Sequence, residues 1–123
     1  MQEITRLTKG EKYLGKQASK SLFIENANKF DILHLAMHSN VNLKRPLKSH
    51  LIFQAEEDSS ENHLLYASEL YRLSLDTEMA VLNACNTGLG ELARGEGVFS
   101  LGRAFMYAGC RSIIMSLWQI DDQ

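Results

Sequence analysis

Ala80-Val81-Leu82-Asn83-Ala84-Cys85-Asn86-Thr87-Gly88 carries an apolar run to a cysteine and then breaks at once into turn residues. Such a run reads as a buried strand that displays its last residue at the strand end, because a strand finishing inside a core would not turn directly after the sulfur. Upstream, Asp31-Ile32-Leu33-His34-Leu35-Ala36-Met37-His38-Ser39 ends the same way on a histidine. An open parallel sheet gathers the carboxyl ends of neighbouring strands along one crevice, so two such runs bring a thiol and an imidazole together there. That pair makes an activated nucleophile.

Working outward, Glu3 to Leu7 reads as a short strand, and Gly15 to Asn28 carries a helical pattern through Ala18, Leu22, Phe23 and Ala27. Phe30 to Met37 is a buried strand. Ser39 to Ser49 holds the single proline, Pro46, among Lys44, Arg45 and Lys48, the mark of an exposed loop. Leu51 to Gln54 is expected as a short edge strand, Glu56 to Asn62 as loop, and Tyr66 to Arg72 as a short helix with Ser68 near its start. Met79 to Ala84 is the second buried strand. Glycine-rich sequence from Gly88 to Gly97 leads to a helix over Val98 to Tyr107, where Val98, Leu101, Gly102, Phe105 and Met106 share a face. Gly109 is its C-cap, and Arg111 to Leu117 is a third strand. Strands alternating with helical patterns predict an α/β fold, a mostly parallel sheet flanked by helices.

The 123 residues make one domain or part of one, and an apolar share of 45% supplies a packed core. Thirteen Lys and Arg against fifteen Asp and Glu leave a net charge of -2, which argues against a nucleic-acid partner. The apolar stretches fall short of the roughly 20 residues that cross a bilayer, and Gln2 and Glu3 stand where a signal peptide is apolar. The expected location is cytoplasmic, with no membrane contact. Two cysteines, Cys85 and Cys110, do not form a disulfide framework, and free thiols suit a reducing compartment.

Each candidate has a plain alternative. Cys85 as a strand residue is a small buried hydrophobe, a reading that the Asn86-Thr87-Gly88 turn disfavours. His34, Ala36 and His38 share one face of a regular strand, so spacing alone does not choose between the histidines. Position selects His38, at the strand end. His50 and His63 stand in polar context and are expected to face solvent. A metal site is not expected, because the i, i+4 pair His34 and His38 converges on a metal from a helix, and this segment reads as strand. Gly88-Leu89-Gly90-Glu91-Leu92-Ala93 fits a dinucleotide fingerprint formally, but the apolar helix pattern begins only near Val98 and the next acids, Asp121 and Asp122, come too late. Arg103 and Glu96 suit an ion pair, and Trp118 an apolar anchor.

Together, His34-Leu35-Ala36-Met37-His38, Asn83-Ala84-Cys85-Asn86-Thr87-Gly88, Gly95-Glu96-Gly97-Val98, Gly102-Arg103-Ala104-Phe105, Ala108-Gly109-Cys110 and Ser116-Leu117-Trp118-Gln119-Ile120-Asp121 resemble the CHAT domain. That family belongs to the caspase-like cysteine peptidases, is related to separase and often accompanies tetratricopeptide repeats. The resemblance runs from about Gly15 onward. It implies a three-layer caspase-like fold with His38 as general acid and base, Cys85 as nucleophile, and the backbone N–H groups of Ser39 and Cys85 as oxyanion hole. Ser39 stands where many relatives carry glycine. The resemblance also implies that the family pattern extends past both chain ends, which makes residues 1–123 the central part of one domain.

These readings predict a cysteine endopeptidase without cofactor that acts on a protein or peptide substrate, with tetratricopeptide-repeat segments as expected companions. By strand alternation Asn83 shares the side of Cys85, and the resemblance implies that this position lines the pocket for the side chain before the scissile bond. Asp121 and Asp122 are further candidates for that pocket. Two alternatives stand beside this one: a caspase-like module without activity that binds protein partners, and a small-molecule acyl transferase, since a Cys–His pair serves acyl transfer generally.

Overall fold

The computed structural model describes residues 11, 13, 17–55, 63–83 and 91–115, with residues 91–98 described by backbone alone. The strand expected over Glu3 to Leu7, the loop at Glu56 to Asn62 and the segment from Ser116 to Gln123 lie outside them.

Helix α1, Lys20–Asn26, starts at Ser19, whose Oγ accepts the Leu22 N–H at 3.3 Å and so satisfies one of the donors a helix start leaves open. It passes through a 3-10 turn, Ala27–Lys29, into strand β1, Ile32–Ala36. β1 pairs in parallel with β5, Met79–Asn83, which pairs in parallel with β6, Ser112–Met115. The three expected buried strands therefore form one parallel sheet in the order β1-β5-β6. Alternation sorts its two faces. Leu33, Leu35, Ala80 and Leu82 are buried, with Ile113 and Met115 packed beside them.

That face is covered by helix α3, Glu91–Ala108, through Leu101, Ala104, Phe105 and Ala108. Each Leu or Phe fully buried in this layer contributes roughly 1.5–3 kcal/mol of transfer free energy. Gly102 is what lets the layers meet: a Cβ there would come 2.6 Å from Met115 Sδ. The helix begins seven residues earlier than Val98, so its start runs through Gly95 and Gly97 against their weak helix propensity. It ends as expected at Gly109, where φ is +124°. The Gly109 N–H donates to Met106 O at 3.1 Å and the Cys110 N–H to Phe105 O at 3.1 Å, which closes the last turn.

Between β1 and β5 the chain builds a second, antiparallel sheet from β2, His38–Asn40, β3, His50–Ile52, and β4, Leu64–Tyr66. Here the sequence reading needs correction. His38 to Asn40 is strand rather than the start of a loop, β3 is the central strand rather than an edge, and Leu64 to Tyr66 is a strand that no alternation announced. The cause is a single row of paired residues, Ser39, Leu51 and Leu65, each the middle residue of its strand and each buried. Three-residue strands are too short for a period to show, and burial of that row holds them together.

Helix α2, Ala67–Leu70, follows β4 directly. Glu69 Oε1 accepts the Tyr66 N–H at 3.4 Å, and Glu69 Oε2 accepts from Lys20 Nζ at 2.7 Å, which ties α2 to α1. Phe23 of α1 lies 5.3 Å from the Phe53 ring and 6.5 Å from Phe105, so both sheets and three helices share one core.

Candidate active site at the carboxyl end of the parallel sheet

The last paired residues of β1 and β5 are Ala36 and Asn83. The ladder runs one step further, because the Met37 N–H donates to Asn83 O at 3.3 Å. Directly after Met37 the chain changes sheets, and His38 becomes the first residue of β2, opposite Ile52. His38 is thus held at the corner between the two sheets, at the carboxyl end of β1, and its side chain is exposed. Cys85 follows Asn83 by two residues and lies outside the described residues, as do Asp121 and Asp122.

Asn83 is half-buried on the sheet face turned away from α3, in one alternating set with Val81 and Met79. His34 and Ala36 occupy the corresponding set on β1. Ser39 sits inside β2 with its side chain buried and pairs with Leu51. Its backbone is ordinary strand, which serine adopts as readily as glycine does.

The two histidines of the first motif differ as position suggested. His34 is half-buried in mid-strand opposite Val81, and burial lowers its pKa from the ordinary 6.5 because desolvation penalises the imidazolium. The folded chain therefore takes up this proton less readily than the unfolded chain. Stability contributed by neutral His34 is complete above about pH 6.5 and is lost as pH falls through that value towards the depressed folded pKa. His34→Gln is expected to remove that component. The difference in melting temperature between wild type and variant, followed from about pH 7.5 down to about pH 5, should change with pH, and a flat difference would show that His34 is not desolvated.

His50 and His63 are each half-buried rather than fully solvent-facing. The His50 ring lies 4.9 Å from the Tyr66 ring and its Nδ1 is 3.1 Å from Lys48 O. His63 is half-buried, with Nδ1 enclosed and without a hydrogen-bond partner among the described residues. Neither was recognisable in sequence, because β4 supplies Tyr66 and β4 itself was not legible. Cys110 is buried, 2% exposed, and its Sγ donates to Ser112 O at 3.2 Å.

Among the described residues no three His, Cys, Asp or Glu side chains gather to hold a metal ion. One ground for setting aside the dinucleotide fingerprint falls, since α3 begins at Glu91, directly after Gly90. The other ground stands, because that motif still lacks a timely ribose-binding acid. No helix among the described residues is long and apolar enough to cross a membrane.

No curated protein matches the chain. The family model of the CHAT domain matches residues 1–123, the whole chain. Its strand order, parallel pairing and helical cover accord with the caspase-like α/β arrangement of that family. The chain belongs to the CHAT domain family.

Proposed function

We propose that the chain is a cysteine endopeptidase domain of caspase-like type, working in the cytoplasm with His38 and Cys85 as its dyad. The observation that carries this is the register: β1 and β5 are adjacent and parallel, and Ala36 pairs with Asn83. His38 stands two residues beyond the one and Cys85 two beyond the other. Two residues of chain reach at most about 7 Å, so neither group travels far from the paired strand ends.

The Cys85 thiol, deprotonated with the help of His38, attacks the carbonyl carbon of the scissile peptide bond. The oxygen takes up the electron pair as an oxyanion, held by the backbone N–H groups of Ser39 and Cys85. When the tetrahedral species collapses, the C–N bond breaks and the His38 imidazolium gives its proton to the departing amine. A thioester remains. Water, deprotonated by His38, then adds to the thioester and releases the acid and the thiol. In this reading Asn83 lines the pocket for the side chain preceding the scissile bond, and Asp121 and Asp122 are the further candidates for it. Tetratricopeptide-repeat segments are its expected companions.

The test is labelling with a peptide that ends in a cysteine-directed electrophile, using a set that varies the residue before the reactive group. The expected result is a single adduct at Cys85, absent from Cys85→Ala and present in Cys110→Ala. An intact, folded protein that takes no peptide-dependent label at Cys85 overturns the peptidase reading and leaves the non-catalytic binding module.

A further inference from the structure

The connection between β2 and β3 is a built frame rather than a slack turn. Asn42 Oδ1 accepts the Arg45 N–H at 2.9 Å, and the Asn42 N–H donates to Ser49 Oγ at 2.9 Å. The Lys48 N–H donates to Arg45 O at 2.8 Å and the Ser49 N–H to Pro46 O at 3.1 Å. Val41 and Ser49 are buried at its two ends. The 3-10 turn Pro46–Lys48 packs against α2 and α3.

What this frame presents is unusual in composition. Leu43 and Leu47 are 45% and 54% exposed, and Lys44, Arg45 and Lys48 stand exposed among them. Residues 43–48 contain no acid. Among the described residues no carboxylate pairs with these three cations, whereas Lys20 is matched by Glu69, and Arg111 by both Asp76 and Glu78. Three like charges within five positions repel one another, and an oppositely charged ligand removes that cost. The preformed hydrogen bonds also spare a ligand the entropy of ordering the loop.

We propose that residues 43–48 form a docking ridge for an acidic segment of another protein, with its carboxylates on Lys44, Arg45 and Lys48 and its apolar side chains over Leu43 and Leu47. The two leucines, four residues apart, give such a segment apolar area that charge alone would not supply. Three cations fall below the roughly four to eight that hold a polybasic segment on anionic lipid. The ridge has no aromatic side chain on which a base would stack, so a protein partner is favoured over a single-stranded nucleic acid. This inference does not depend on Cys85 or His38.

The experiment titrates the full chain into a fluorescein-labelled decapeptide of alternating Glu and Leu. Saturable binding is expected at about 50 mM salt, weakening at least about tenfold by about 300 mM as the charges are screened. Lys44→Glu with Arg45→Glu and Lys48→Glu should abolish it, and Leu43→Ser with Leu47→Ser should weaken it about three- to tenfold. Should the charge-reversed variant lose its cooperative melt, the triple Gln variant at the same positions carries the test. The proposal is overturned if the wild type shows no saturable binding or if the triple variants bind as well as the wild type. It is equally overturned if phosphatidylserine vesicles or a single-stranded oligonucleotide bind through the loop while the peptide does not.

Discussion

Cys85→Ala and His38→Ala are each expected to lower kcat for peptide hydrolysis by at least about 10^3-fold, while Cys110→Ala and His34→Gln should leave it within about threefold. The two losses come from one unit, so the double variant should be little worse than either single one. The contrast with the second thiol rests on its surroundings. Cys110 is buried after the C-cap of α3 with its S–H donating to Ser112 O, and a thiol held there in apolar surroundings is inert. His34 sits in mid-strand on β1, whereas His38 opens β2 in the other sheet. Steady-state kinetics on peptides, with a cooperative melt as the control for folding, decide the matter. Activity lost in Cys110→Ala without loss of folding, or lost in His34→Gln but kept in His38→Ala, would sink the assignment.

Gly109→Ala is expected to cost at least about 3 kcal/mol, which for a chain of this size lowers the melting temperature by roughly 10 °C or more. Two causes act together. A φ of +124° is a conformation that L side chains rarely adopt, and the turn it makes is fixed by the bonds from Gly109 to Met106 and from Cys110 to Phe105. The added Cβ would also overlap the carbonyl oxygen of Leu75. That carbonyl cannot step aside, because the Leu75 N–H is bonded to Ala108 O at 2.7 Å and Leu75 is part of the core. Gly102→Ala is the comparison. There the Cβ meets the sulfur of Met115, a flexible side chain, and the gain of helix propensity of about 1 kcal/mol offsets part of the contact. Thermal unfolding of the two variants should rank Gly109→Ala well below Gly102→Ala, and equal losses would refute the account.

Much of the frame was legible because it is written locally. The apolar runs Ile32 to Ala36, Met79 to Asn83 and Ser112 to Met115 each alternate or bury within a few residues, and each is a strand of the parallel sheet. Gly109 announced the end of α3 through glycine chemistry that needs no distant partner. The start of α3 was not legible. Gly95 and Gly97 weaken the local helical signal, yet the chain is helical from Glu91. Local propensity is a weak prior that tertiary context overrides.

The candidate site divides in the same way. The sequence by itself located the two apolar runs that become β1 and β5, and the histidine at 38 that follows the first of them, because each run gives way to polar residues. It also pointed to parallel pairing, since strands alternating with helical patterns admit few other sheets. Only the tertiary structure decided that β1 lies directly beside β5 with Ala36 against Asn83, and that the chain leaves one sheet for another between Met37 and His38. It alone decided that Ser39 is buried while His38 is exposed, and that His50 and His63 are partly covered. The physical reason is that pairing and register depend on side chains far apart along the chain. Ser39, Leu51 and Leu65 each look unremarkable alone, and only their meeting in one buried row turns three short segments into the sheet that holds His38 at its corner.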